Sequence, residues 1–191
     1  IKREISPVSL ILYFVTPMRI IISGEVSFLF LSTDCDTFGG EKMIKIGLAA
    51  TNDAAGLDNK NVSAFIELAQ KNDCEVIKGE SAFFEPEEAK RVANGLKDCD
   101  LIVVTVKGFT WFGECINEFT KLGVPVCCWA VPEPKKEGVL LFNSMTGLNL
   151  FTSVANSGRE IPAVKWLYGN ADDTLFVNRF LTTVGAIRCL K

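Results

Sequence analysis

The run Asp100-Leu-Ile-Val-Val-Thr-Val106 constrains the chain more than any other stretch, because after its first residue it is apolar and β-branched almost throughout. A strand of that composition has no face to give to water, as expected of a parallel strand covered by helices on both sides. From Met43 onward the sequence repeats the theme. Met43–Ala50 is a short apolar run, followed by the polar turn Thr51-Asn-Asp-Ala-Ala-Gly-Leu-Asp-Asn59. Val62, Phe65, Ile66 and Ala69 then recur at helical spacing. Cys74–Lys78 reads as a second strand. In Glu85-Pro-Glu-Glu, Pro86 takes a first helical position and acids fill the first turn, where the helix dipole favours them. Ala89, Val92, Ala93 and Leu96 form that helix's buried face.

The third strand, Asp100–Val106, precedes a helix with Cys115, Ile116, Phe119 and Leu122 on one side and Gly123 as its stop. Val124–Ala130 is the fourth strand. Beyond Val131-Pro-Glu-Pro134 the pattern predicts a helix from about Ser144 to Asn156, a strand around Val164–Tyr168 and a long helix from Asp172 to Leu190. Strands alternating with helices predict right-handed crossovers and a doubly wound, three-layer Rossmann/flavodoxin-like α/β fold with a parallel sheet.

Residues 1–42 do not share this regularity. Their longest uncharged stretch, Ile5–Met18, has 14 residues, short of the roughly 18 or more that span a bilayer. Lys2 and Arg3 precede an apolar block as in a signal peptide, but Glu4 intrudes and no small-residue cleavage site follows. Gly39-Gly-Glu-Lys-Met43 back-translates to a purine-rich ribosome-binding sequence ahead of a start codon. We therefore expect residues 1–42 to be translated upstream DNA, or else a disordered extension. Residues 43–170 would form the α/β domain, and 171–191 a connecting helix into a second domain beyond Lys191.

The chain contains no histidine, so it cannot assemble a Ser-His-Asp or Cys-His nucleophile pair or a histidine-ligated metal site on its own. Its seven cysteines, at 35, 74, 99, 115, 127, 128 and 189, show no C-x-x-C spacing. Most lie in apolar runs, where a thiol behaves as a small hydrophobe. Reduced, buried thiols in a cytoplasmic protein are the expectation. A net charge of -3 gives no reason to expect a nucleic acid partner, and no segment reads as a membrane span.

Ligands of open parallel sheets bind beyond the carboxyl ends of the strands. The residues there that suit a sugar are Asn52 and Asp53 after the first strand, Glu80 after the second, Lys107 and Trp111 after the third, and Glu133 after the fourth. An indole face stacks on C–H surfaces, while carboxylates and amides accept hydroxyl protons. Each also has a plain reading: Asn52 and Asp53 as a turn or helix cap, Lys107 in a surface ion pair, Glu133 as a solvated loop residue, and Trp111 recruited into a cluster by Phe109 and Phe112. Neither G-x-G-x-x-G after the first strand nor G-x-x-x-x-G-K-[ST] is present, so the phosphate cradles of dinucleotide and P-loop sites are missing.

Four segments, Asp100–Val106, Gly123-Val-Pro-Val-Cys-Cys-Trp-Ala-Val-Pro-Glu-Pro134, Asn143-Ser-Met-Thr-Gly-Leu-Asn149 and Tyr168-Gly-Asn-Ala-Asp-Asp173, together resemble the N-terminal region of the L-fucose isomerase and L-arabinose isomerase-like family. The resemblance runs from about Ile44 to Lys191 and covers about a third of such an enzyme. It implies a metal-dependent aldose–ketose isomerase in the cytoplasm, in which a divalent ion, typically Mn2+, polarises the sugar's oxygens while carboxylates move a proton through an enediol. It places the metal ligands, a histidine among them, in later domains, so that no cofactor is expected in this fragment. It further implies a trimeric or hexameric homo-oligomer whose sugar pockets borrow rim residues from a neighbouring subunit. A fragment of this kind is expected to be inactive alone. The competing reading is a non-catalytic sugar-binding or regulatory α/β domain, since fold alone does not separate the two.

Overall fold

The computed structural model describes residues 43–51, 59–109, 111–133, 143–160 and 163–191. The expectations for residues 1–42, and for Asn52 and Asp53, lie outside the described residues. Five strands, β1 (Ile44–Ala50), β2 (Cys74–Lys78), β3 (Leu101–Val106), β4 (Val126–Ala130) and β5 (Val164–Tyr168), pair in parallel in the order β2-β1-β3-β4-β5. This is the predicted doubly wound parallel sheet. Between and after the strands run α1 (Lys60–Gln70), α2 (Pro86–Gly95), α3 (Cys115–Thr120), α4 (Ser144–Asn156) and α5 (Thr174–Arg188).

Local chemistry sets these boundaries. Asn59 caps α1 by accepting from the Val62 amide at 3.0 Å. At α2, Pro86 sits in the first turn and the Glu88 carboxylate accepts from the amides of Phe84 (2.7 Å) and Glu85 (3.3 Å). Gly123, at φ 71°, turns the chain after α3 through a conformation that side chains disfavour. The expected strand from Asp100 begins one residue later. Asp100 is diverted to accept from the Lys45 amide at 2.8 Å and to pair with Lys191 at 2.6 Å. The last helix is shorter than Asp172–Leu190 because Asp173 accepts from the Asn170 amide at 2.6 Å and closes a turn ahead of it.

The chain moves from β1 to β2 in one direction across the sheet, then reverses to β3, β4 and β5. With one crossover hand throughout, the reversal puts α1 on one face and α2, α3 and α4 on the other. Two buried clusters follow from it. Leu48, Leu101, Val103, Cys127, Trp129 and Leu167 face α1 and α5, whereas Ala49, Ile102, Val104, Val106, Val126 and Cys128 face α2, α3 and α4. In the first cluster Phe65, Trp129, Phe176 and Phe180 make a continuous aromatic group, with centroids 5.3 Å apart for Phe65–Trp129 and 5.0 Å for Phe65–Phe180. Cys74, Cys99, Cys115, Cys127 and Cys128 are buried free thiols, packed as apolar residues. Among the described residues no helix is long and apolar enough to cross a membrane.

Candidate functional site

The reversal at β1 makes the β1/β3 edge the topological switch point, where adjacent connections leave in opposite directions and open a crevice. Thr51, wholly buried, lies at that edge. Its amide donates to the Thr105 carbonyl at 3.0 Å, and its Oγ1 accepts from the Lys107 amide at 3.3 Å. On the other side it bridges to Phe83. Three strand exits are thus joined through one residue.

The β3–α3 loop is fixed against α4. A Cβ on Gly147 would lie 2.2 Å from the Gly108 carbonyl oxygen, and one on Gly113 would lie 2.9 Å from Leu150 and Val154. Only glycines allow this approach. The loop's aromatics then divide. Phe112 packs against the core and meets Phe84 edge-on at 5.6 Å. Trp111 stands 73% exposed, perpendicular to Phe109 at 5.2 Å. Both sequence readings of Trp111 keep a footing: Phe109, itself 39% exposed, pairs with its ring, and Phe112 turns to the core instead, while the indole stays largely open to solvent.

The other predicted residues are drawn into structural roles. Glu80 accepts from Arg91 Nε at 2.6 Å, with both side chains about 60% exposed, so the pair adds little stability. Lys107 is half-buried, with its amide held by Thr51. Glu133 is half-buried and accepts from the Asn143 amide. Beside it Ser144 Oγ donates to the Val131 carbonyl at 2.8 Å. Glu133 therefore ties the exit of β4 to the start of α4, which corrects its plain reading as a solvated loop residue. Trp111, Lys107, Glu80 and Glu133 all lie at the predicted carboxyl rim, and Trp111 is the aromatic among them, largely exposed.

Sequence reasoning passed over Thr105, although it is the one hydroxyl in the β3 run. Thr105 Oγ1 and Ser81 Oγ are both buried without a hydrogen-bond partner, Thr105 in β3 beside β1 and Ser81 on the β2 side of β1.

Among the described residues no three His, Cys, Asp or Glu side chains come together as a metal would require. The rim carboxylates Glu80 and Glu133 are each engaged by a neighbour. The ion implied by the sequence resemblance finds no ligand set in these residues.

No family model and no curated protein matches the chain. Among solved structures it is similar to a β-glucosidase from Erythrobacter marinus, at 14% identity and a TM-score of 0.36, over 47% of this chain. The match spans 20% of that enzyme's chain. So weak a likeness bears on neither function nor family.

Proposed function

We propose that this chain is the N-terminal part of a metal-dependent aldose–ketose isomerase similar to the L-fucose and L-arabinose isomerases, and that its carboxyl rim supplies part of a sugar pocket. One observation carries the binding role: Trp111 is held out on a loop clamped by α4, with an indole face free to stack on the C–H face of a sugar. Exposed tryptophan on a rigid loop is a poor use of a large apolar side chain unless something covers it. The residues of this chain bind and orient the sugar and keep water from one side of it. They transfer no proton themselves; the acid, base and metal ligands belong to domains that follow. A cytoplasmic trimer or hexamer, with each rim completing a neighbour's pocket, goes with this reading.

The test is expression of the complete protein encoded with this segment, followed by ketose formation from L-fucose and L-arabinose with and without Mn2+. Metal-dependent isomerisation is expected. Sugar binding without turnover would replace this reading with the non-catalytic sugar module, and isomerisation by residues 43–191 alone would overturn it.

A further inference from the structure

The two outer strands of the sheet differ. β2 carries exposed charges at Glu75 and Lys78, whereas β5 has Trp166, 49% exposed, at its centre. Alternate residues of a parallel strand turn their backbone groups to its neighbour. The Gly169 amide donates to the Ala130 carbonyl of β4 at 3.2 Å, so Lys165, Leu167 and Gly169 face β4 in this way while Val164, Trp166 and Tyr168 face outward. The Val164 amide donates to Asn156 Oδ1 at 3.4 Å, beside the Ala163 amide at 2.7 Å. The outward N–H and C=O groups of Trp166 and Tyr168 have no partner among the described residues.

Lys165 is a second unmatched group on this strand. Half-buried and level with Cys127, it faces α5 and pairs with no carboxylate among the described residues. Burial, with the Arg179 guanidinium nearby, holds its amine below the usual 10.5. At the other end of β5, on the same face, a Cβ on Gly169 would lie 3.0 Å from Asp173 Oδ2. That carboxylate accepts from Asn170 and meets no cation among the described residues.

We infer that β5 is the contact between two copies of this chain, paired antiparallel about a two-fold axis at Leu167, so that one sheet runs through both. In this register Trp166 lies opposite Tyr168 of the second copy, and the two residues exchange N–H and C=O bonds. The axis repeats both bonds at the other end, and a two-fold contact is self-complementary by construction. The Trp166 and Tyr168 side chains meet on the face that carries α4, an aromatic cross-strand pair. Arg179 stacks on Trp166 at 4.7 Å in the single chain, and pairing exchanges this contact for Tyr168 of the second copy. On the opposite face Lys165 falls across from Gly169 of the second copy, where the missing side chain leaves its ammonium room beside Asp173 of that copy. An axis at Trp166 instead would claim the Val164 amide that Asn156 holds and would set Lys165 against Leu167, with no carboxylate to meet. An unrelated edge strand would supply the hydrogen bonds without the aromatic and charge matches. The contact needs none of the sugar chemistry of the proposed function.

The test is sedimentation velocity of the 191-residue chain at low and high micromolar concentration. A dimer is expected, and Trp166→Glu and Lys165→Glu each raise its Kd at least tenfold with unchanged circular dichroism. Register is read independently by coexpressing a Trp166→Cys chain with a Tyr168→Cys chain under mild oxidation. Peptide mass spectrometry then finds position 166 of one copy linked to position 168 of the other, a readout that stands even where Trp166→Glu does not fold. A monomer at every concentration overturns the inference, as does a dimer that neither glutamate substitution weakens. Linkage of 166 to 166, or no linkage between copies, also overturns it. A complete protein that isomerises sugar without this linkage removes the contact and leaves the proposed function standing.

Discussion

Gly147 at the start of α4 lies so close to Gly108 after β3 that a Cβ on it would come within 2.2 Å of the Gly108 carbonyl oxygen. The obstacle is backbone, which cannot swing aside as a side chain does. Gly147→Ala is expected to cost about 3 kcal/mol, the upper part of the range for overpacked sites, read as a lower urea midpoint. The displaced loop carries Phe109 and Trp111, so their ring contact should loosen, seen as lower fluorescence anisotropy of Trp111 in a chain whose Trp166, also exposed, is replaced by Phe.

Trp111 tests function apart from stability. With its side chain 73% exposed, Trp111→Ala should leave the unfolding free energy within about 0.5 kcal/mol of the parent. Sugar affinity of the complete protein should nevertheless fall at least tenfold if the indole stacks on the ligand. A variant with unchanged sugar KM and kcat would remove Trp111 from the pocket.

Glu88 links the entry of α2 to pH. The amides of Phe84 and Glu85 favour its carboxylate and hold its pKa below the usual value of 4.5. A depressed folded-state pKa gives stability that is present above about pH 4.5 and lost as the pH falls below it. Glu88→Ala should cost about 1 kcal/mol at neutral pH, as for loss of a helix cap. Glu88→Gln, which keeps an acceptor, should cost less. Both should flatten the acid limb of the stability profile in urea titrations at stepped pH.

The buried thiols act at the opposite end of the pH scale. Burial pushes Cys115 and Cys127 up from 9.0 to about 12, with Glu114 adding to the effect at Cys115. Cys128 is raised further by the same cause. The folded protein holds these protons where the unfolded chain releases them. Their contribution is therefore complete below about pH 9 and declines as the pH rises from 9 towards 12. At pH 8 a thiol-specific disulfide reagent should modify Cys115, Cys127 and Cys128 only at the rate of unfolding, as followed by peptide mass spectrometry.

Most of the sheet was legible in the residues because β3 and β4 are apolar on both faces, which few arrangements other than a covered parallel strand accommodate. Helix starts at Asn59 and Pro86 were carried by short-range signals. The site was harder to read. Glu80 and Glu133 look like free carboxylates in the sequence, but Arg91 lies a helical turn or more along α2 and Asn143 ten positions downstream, and only the folded chain brings them together. The significance of Thr105 was hidden for a related reason. A threonine in a β-branched run fits strand preference, and its lack of a partner depends on Ala50 and Trp129, set beside it by register.

The face shared by α1 and α5 has a kinetic consequence. Phe65 on α1 packs against Phe176 and Phe180 on α5, and Asn61 Oδ1 accepts from the Ala171 amide across 110 positions of chain. The opposite face is assembled from the neighbouring segments α2, α3 and α4, whose contacts form over short loops. During synthesis that second face can consolidate as the ribosome delivers it, whereas the aromatic face waits with Phe65 and Trp129 uncovered until α5 emerges. The fifth helix is the one that ends the exposure of the first.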